Sequence, residues 1–398
     1  MDYIYISHIH PDHCSKKTLE LLDNNIPILI RNYNSKFLRD NIERLGFNVI
    51  ELDHNKRVNL KNDLFINILA ADNCNPEICQ KYIGCNAPTN GNYISNSIDS
   101  MCVIDNGEQV IVNTNDCPYP IGEFTARDIK KQYKQIDMLL VGYSSASPYP
   151  QCIVMDKERK KKSRETVIKQ FWSQTESYVN LLQPKVYMPF AGRYVLAGKF
   201  SVLNSDRSVA ELEDAYQYFT NSKNIDHEKH KAIILNAETS FNLDDGSSSK
   251  KYIPIILNEK AKYISENLSK RKYDYELEKE PQIEELINLI PKAFERFENK
   301  RKEIGFASET NIILDLSQEK FLIISTNGDG YRISNKINLE RFTKFVKISL
   351  DARFLKWLLK GPKYAHWNNA EIGSHLTYQR NPEIYERGLY YSLNFFHV

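Results

Sequence analysis

Residues Tyr3-Ile4-Tyr5-Ile6-Ser7-His8-Ile9-His10-Pro11-Asp12-His13-Cys14-Ser15 constrain this chain more than any other stretch. Residues 3 to 6 are β-branched or aromatic, the composition of a short buried strand, and the imidazoles begin where that strand should end. On an extended backbone His8 and His10 point to one side, and Pro11 then turns the chain so that Asp12 and His13 return to the same volume. Ser15 can cap a helix over 16–22, which would hold the loop between two rigid elements. Three of the chain's 9 histidines fall within these few positions. Neutral imidazole and carboxylate suit zinc, iron or manganese, so the spacing predicts a metal centre, with His8 and His10 facing one ion and Asp12 and His13 a second. Such ions acidify water enough to make it a nucleophile at neutral pH.

Downstream, apolar and helical segments alternate. Strands are expected at 26–30, 47–52 and 64–70, with a helix over 36–45 stopped by Gly46. A hairpin turns at Asp105-Asn106-Gly107-Glu108 between 101–104 and 109–112. A helix at 129–135, a strand at 138–141, a long helix at 165–182 and a strand at 185–188 complete an α/β pattern. The basic run from Lys157 to Arg164 reads as a solvated helix start, because Glu158 and Glu165 interrupt its field. Residues 71–100 show no periodicity, and a loop of that length in a compact domain is commonly a functional wall.

The His8-x-His10-x-Asp12-His13 pattern after a strand resembles the signature of the metallo-β-lactamase superfamily. Residues 113–117, 137–150, 182–192 and the tail 368–396 are similar to the metallo-β-lactamase-like part of CMP-N-acetylneuraminate hydroxylases. The Rieske domain of those enzymes, with its Cys-x-His pairs, has no counterpart here. The resemblance implies a four-layer αββα sandwich with its metals at the strand ends. It also implies that Asp116 bridges them, although an Asx-turn at the strand end would explain an aspartate there too. The histidine that the family takes from the region of residues 71–100 is missing, and Asp72, Cys74, Cys79 or Asp99 could replace it. The last histidine of the family, expected after the strand at 185–188, is also absent. One ion held by Asp12, His13 and Asp116, or by His8 and His10, is then as compatible as two. Superfamily members have several strands before the histidine motif; with only six residues there, the expectation is that the polypeptide begins upstream, that the first sheet is incomplete, or that a partner supplies the missing edge.

The resulting organisation is a metallo-β-lactamase-like domain over 1–204, a helical insertion or extension over 205–310 and a C-terminal lobe over 311–398. In the last, a hairpin is expected at 312–316 and 321–325 and an amphipathic helix at 346–360. Helices broken around Pro291 are expected within 276–297. His54 reads as solvent-facing, and His227 and His230 as a surface pair.

Metal ligands are therefore predicted at His8, His10, Asp12, His13 and Asp116, for one or two divalent ions, zinc or iron. Asp12 and Asp116 are the catalytic carboxylates. Ser144 and Ser145, in a small-residue loop, could offer hydroxyls to a phosphate or sugar oxygen. Arg193 and Lys199 could hold an acidic group, or could equally be surface charges. The expected activity is hydrolysis of a small anionic, sugar or nucleotide-sugar substrate. Its alternatives are a hydroxylase-like role with a separate redox partner and a non-catalytic binding role. A net charge of +2 gives no ground for general nucleic-acid binding. No stretch has the apolar length of a membrane span, and the 7 scattered cysteines read as reduced thiols. A cytoplasmic protein, with a redox partner or self-association, is the expectation.

Overall fold

The computed structural model describes residues 1–71, 99–190 and 192–398. The first sheet is parallel and three-stranded: β1 (Ile4–Tyr5), β2 (Ile28–Arg31) and β3 (Val49–Leu52), in that order. Short helices α1 (Lys16–Leu19) and α2 (Phe37–Glu43) make the crossovers, and Ser15 caps α1 by accepting from the Thr18 amide.

A seven-stranded mixed sheet follows. It contains β4 (Val58–Lys61), β5 (Leu64–Ala70), β6 (Ser100–Asp105), β7 (Val110–Asn113), β8 (Ile136–Val141), β9 (Pro184–Pro189) and the two-residue β10 (Lys231–Ala232), ordered β10-β9-β8-β7-β6-β5-β4. Strands β7 to β10 are parallel to their neighbours and β4 to β7 antiparallel. Helices α3 (Tyr119–Gln132), α4 (Lys157–Leu182) and α5 (Leu212–Asn221) belong to this half.

Strand periodicity determines how the layers stack. In β2, Ile28 and Ile30 join Leu19, Leu38, Ile42 and Phe47 in one core, while Leu29 between them joins Ile66, Ile68 and Cys102 in another. In β5 and β6, Leu69, Met101 and Val103 face the opposite way, into a core with Ile129, Val179, Leu182 and Phe219 from the three helices. Side chains that alternate along a strand thus pack sheet against sheet on one face and sheet against helix on the other.

The C-terminal region builds a second sheet-and-helix unit. After α6 (Leu257–Glu266) and α7 (Ile283–Glu303) come β11 (Asn311–Asp315), β12 (Phe321–Ser325), β13 (Tyr331–Ser334), β14 (Phe345–Ser349), α8 (Ala352–Lys360), α9 (Trp367–Ile372), β15 (Thr377–Asn381) and α10 (Arg387–Leu393). The sheet order is β13-β12-β11-β14-β15. Leu286, Ile290, Ala293 and Phe297 give α7 one apolar face on this sheet's core. Cys152 and Ile153, from the loop after β8, enter the same core, and the Tyr378 amide donates to the Cys152 carbonyl at 2.8 Å. The tail is thereby stitched to the first half.

Several boundaries differ from the sequence expectation. Residues 346–360 are not one helix: Val346 and Ile348 alternate into the core as part of β14, and Asp351 caps α8 by accepting from the Arg353 amide. Pro291 lies inside the continuous α7, where an unbroken apolar face outweighs one missing donor. Helix α3 begins ten residues before the expected start, directly after Pro118. The basic run forms the first turns of α4, capped by Asp156. His230 is buried rather than surface-exposed, with Nδ1 2.6 Å from the Pro184 carbonyl. His54 is exposed, and its Nδ1 accepts from the Ala70 amide. No helix among the described residues is long and apolar enough to cross a membrane.

Candidate metal centre

Three strand ends meet where the imidazoles gather. A relay of hydrogen bonds fixes them: the Asn115 amide group donates to Tyr5 Oη at 3.1 Å, Tyr5 Oη lies 3.0 Å from Ser100 Oγ, and Ser100 Oγ donates to the Ser7 carbonyl at 2.9 Å. Tyr33 also donates to that carbonyl. Asn115 adopts a positive φ of 47°, a conformation asparagine tolerates, and its side chain donates to the Ser100 carbonyl as well. The turn leaves Asp116 aimed at the histidines. Residues 10 to 14 form the other wall, the amides of His13 and Cys14 both donating to the His10 carbonyl.

Within this frame the donor atoms converge. His8 is wholly buried, and its Nε2 stands 2.9 Å from His10 Nδ1, 3.7 Å from Asp99 Oδ1 and 3.9 Å from Asp116 Oδ2. His13 Nε2 is 3.2 Å from Asp116 Oδ2. Two sets result, His8 with His13 and Asp116, and His8 with His10 and Asp99, each with its ligand atoms within 4.8 Å of one another.

The outer atoms of the rings support the same orientation. Ser7 Oγ lies 3.0 Å from His8 Nδ1 and 3.2 Å from His13 Nδ1, and a hydroxyl oxygen has two lone pairs to accept both N–H groups. With Ser7 Oγ accepting from both rings, each Nε2 would present its lone pair inward. His10 Nε2 is 3.2 Å from Asn368 Oδ1, an acceptor, which leaves its Nδ1 facing inward. Imidazoles held from outside in this way are how proteins prepare metal ligands, so the donor set fits a divalent ion.

The electrostatics favour neutral imidazoles at His8 and His10 and an ionised carboxylate at Asp116, and pull His13 the other way. Burial, helped by the neighbouring imidazoles of His13 and His10, draws His8 down to about 3. Burial also lowers His10 against the pull of Asp12 and Asp116. For His13 burial acts downward too, but the hydrogen bond and charge of Asp116, with Asp12 and Asp99, raise it overall. Asp116 would be raised by burial, yet the imidazoles bring it below the usual carboxylate range.

The placement of the predicted residues is uneven. His8, His10, His13 and Asp116 converge as a group, but His8 is shared by both sets instead of pairing with His10 alone. Asp12 belongs to neither set. The turn puts it at the crest, exposed, with Oδ2 3.7 Å from His13 Nε2. Of the four replacement candidates, Asp99 is in the centre, whereas Asp72, Cys74 and Cys79 lie outside the described residues. Ser144 and Arg193 line a cavity of about 550 Å³ with Asp12, His13 and Asp116. Gly192, at φ +91°, allows this wall to close, since a Cβ there would stand 2.5 Å from that of Ser144. Arg193 is paired with Glu211 at 3.1 Å. Ser145 is buried, its Oγ accepting from the Ser147 amide. Lys199 is engaged elsewhere, 2.8 Å from Asp351 and 3.4 Å from Glu276, where it ties a 3₁₀ segment to α8. Ser7 and Asn368 escaped the sequence reading. Ser7 was next to the motif, but Asn368 lies 358 positions from its partner, beyond any local signal.

An α/β sandwich of one parallel and one mixed sheet, with His/Asp clusters that could hold a divalent metal, is the class of protein defined here. No family model and no curated protein matches the chain. Solved structures to which it is similar include CmlA, a diiron β-hydroxylase from Streptomyces venezuelae, at 14% identity and a TM-score of 0.35, over 58% of this chain and 43% of that one. An isothiocyanate hydrolase from Delia radicum gut bacteria matches at 12% and 0.36, over 63% and 77%. The metallo-β-lactamase fold protein YhfI from Bacillus subtilis matches at 9% and 0.33, over 59% and 75%. The match spans less than half the length of the first of these.

Proposed function

We propose that this chain is a metal-dependent hydrolase acting on a small anionic substrate of sugar or nucleotide-sugar type. The carrying observation is the convergence of His8 Nε2, His10 Nδ1, His13 Nε2, Asp99 and Asp116 on one volume, with Ser7 and Asn368 holding the rings from outside. A zinc or iron ion held there supplies Lewis acidity, polarising the bond to be cut and acidifying water. Asp116 is the carboxylate shared between the imidazoles. Asp12, at the crest of its turn, faces the cavity where substrate would lie, so its Oδ2 is placed to take a proton from the attacking water. Arg193 offers a guanidinium to the substrate's anionic group, moderated by Glu211, and Ser144 a hydroxyl. The order of cores, with helices outside each of two packed sheets, supports the αββα reading.

Metal analysis of the purified full chain, paired with turnover on nucleotide-sugar and phosphoester panels, tests this. One or two equivalents of metal and chelator-sensitive turnover are expected. Absence of any transition metal after metal-replete preparation would favour a non-catalytic binding role.

A second reading is a hydroxylase-like protein that receives electrons from a separate redox partner. It rests on the segment likeness described above and on Asn368, within the similar tail, reaching His10. Product formation that requires an added reductase and oxygen would favour it; turnover in their absence would favour hydrolysis.

A further inference from the structure

A second cavity, of about 480 Å³, opens on the other side of Asp12, between the histidine loop and the C-terminal lobe. Its walls include Leu196, Phe354, Tyr364, Ala365, Ala370 and Ile372, and among the described lining residues Asp12 at the mouth is its one carboxylate, with no lysine or arginine. Its two imidazoles do not make it polar. His366 Nδ1 is occupied by the Asn368 amide, and the His375 ring sits among Phe200, Tyr273, Tyr275 and Phe354 at centroid distances of 4.7–5.7 Å, its Nδ1 3.2 Å from Tyr275 Oη. Burial draws both rings down to about 4, so both are uncharged at neutral pH.

This cavity and the polar one share Asp12, Ala146 and Tyr194. A smaller space of about 200 Å³, walled by His10, Asp99 and Asp116, also shares Asp12 and Ala146 with both, and Ile372 with the apolar one. The candidate metal centre therefore lies at the junction of a polar, Arg193-bearing compartment and an apolar one. A ligand lying across that junction must have two unlike halves.

We infer that the substrate is a conjugate whose anionic head sits beside Arg193 and the metal centre while an uncharged apolar arm fills the cavity between Leu196, Phe354 and Ile372. The inference rests on the proposed metal-dependent reading and adds an apolar arm to the anionic substrate named there. The volume is that of a small-molecule site, and burying a hydrocarbon arm there would supply binding energy remote from the reacting bond.

Calorimetric titration of the zinc-loaded full chain with n-alkylphosphonates, ethyl to octyl, tests it, because these carry an anionic head and no hydrolysable ester. Affinity should rise about fourfold per added methylene until the cavity is full. Ala365→Trp, which fills the cavity, should flatten the rise. Octylphosphonate bound no more tightly than ethylphosphonate by the wild-type protein overturns the inference. Affinities that rise with chain length but are the same, member by member, in metal-free and zinc-loaded protein would leave the arm cavity standing while the metal reading fell. No binding of any member to either form would overturn both.

Discussion

His13 Nε2 and Asp116 Oδ2 stand 3.2 Å apart, joining the loop after β1 to the end of β7. The contact draws an imidazole and a carboxylate from different elements onto one point, and it exists only because the three-stranded sheet packs on the seven-stranded one. The charge of Asp116 raises His13, while the imidazoles lower Asp116, so each favours the other's ionised form.

Asp116→Ala should reduce metal affinity by more than about 100-fold and abolish chelator-sensitive turnover. Competition with a chromophoric chelator measures the first and substrate assays the second. Full turnover in Asp116→Ala protein would remove the role assigned to this carboxylate.

Asn368→Ala should weaken metal binding by about tenfold, since only the outer nitrogen of His10 loses its partner. Ser7→Ala should be worse, because the buried His8 ring loses its outer partner, at about 1–3 kcal/mol, and the half-buried His13 ring loses the same partner. Unchanged affinity in both variants would mean that the rings need no outer support.

Asp351 accepts from Lys199 at 2.8 Å and Arg353 at 2.7 Å, and although burial works against it, these cations hold its pKa well below the usual carboxylate range. A depressed folded-state pKa contributes stability above the unfolded value near 4 and loses it as pH falls further. Asp351→Asn keeps a capping acceptor for α8 but loses the charge. It should therefore be less stable than the wild type by about 1–2 kcal/mol at pH 7, with the gap closing progressively below about pH 4. Denaturant melts at several pH values measure the gap, which should not persist undiminished into strong acid.

Glu371 shows the opposite sign. Burial raises its carboxyl to about 7, against the lowering effect of Arg380. A raised carboxyl favours folding while protonated, and that contribution is lost as pH rises from the unfolded value near 4.5 through about 7. Glu371→Gln, which stays neutral, should gain on the wild type by about 1–3 kcal/mol between pH 4.5 and pH 8. Parallel stability curves for the two proteins across that range would show that Glu371 ionises normally.

The histidine motif, most strand positions and the hairpin at Asn106-Gly107 were legible because each depends on neighbours along the chain. The errors arose where local preference had more than one outcome. The apolar spacing at 346–360 suits a helix as well as a strand followed by a helix, and the second form buries Val346 and Ile348 beside β11. Pro291 would end a helix in isolation, but the core beneath α7 holds it together. Lys199 had the charge expected of an anion-binding residue, and its acidic neighbours come from segments that only folding brings near.

By itself, the order of residues determined that His8, His10 and His13 would gather after a short strand, since a turn a few residues long brings them together whatever the rest of the chain does. Tertiary structure alone decided that His8 is common to both donor sets, that Asp12 stands apart from them, and that Asn368 holds His10 from the far end of the chain. Periodicity and turn preference act over a few residues, whereas those three relationships depend on how two sheets and a C-terminal lobe pack, which no short stretch encodes.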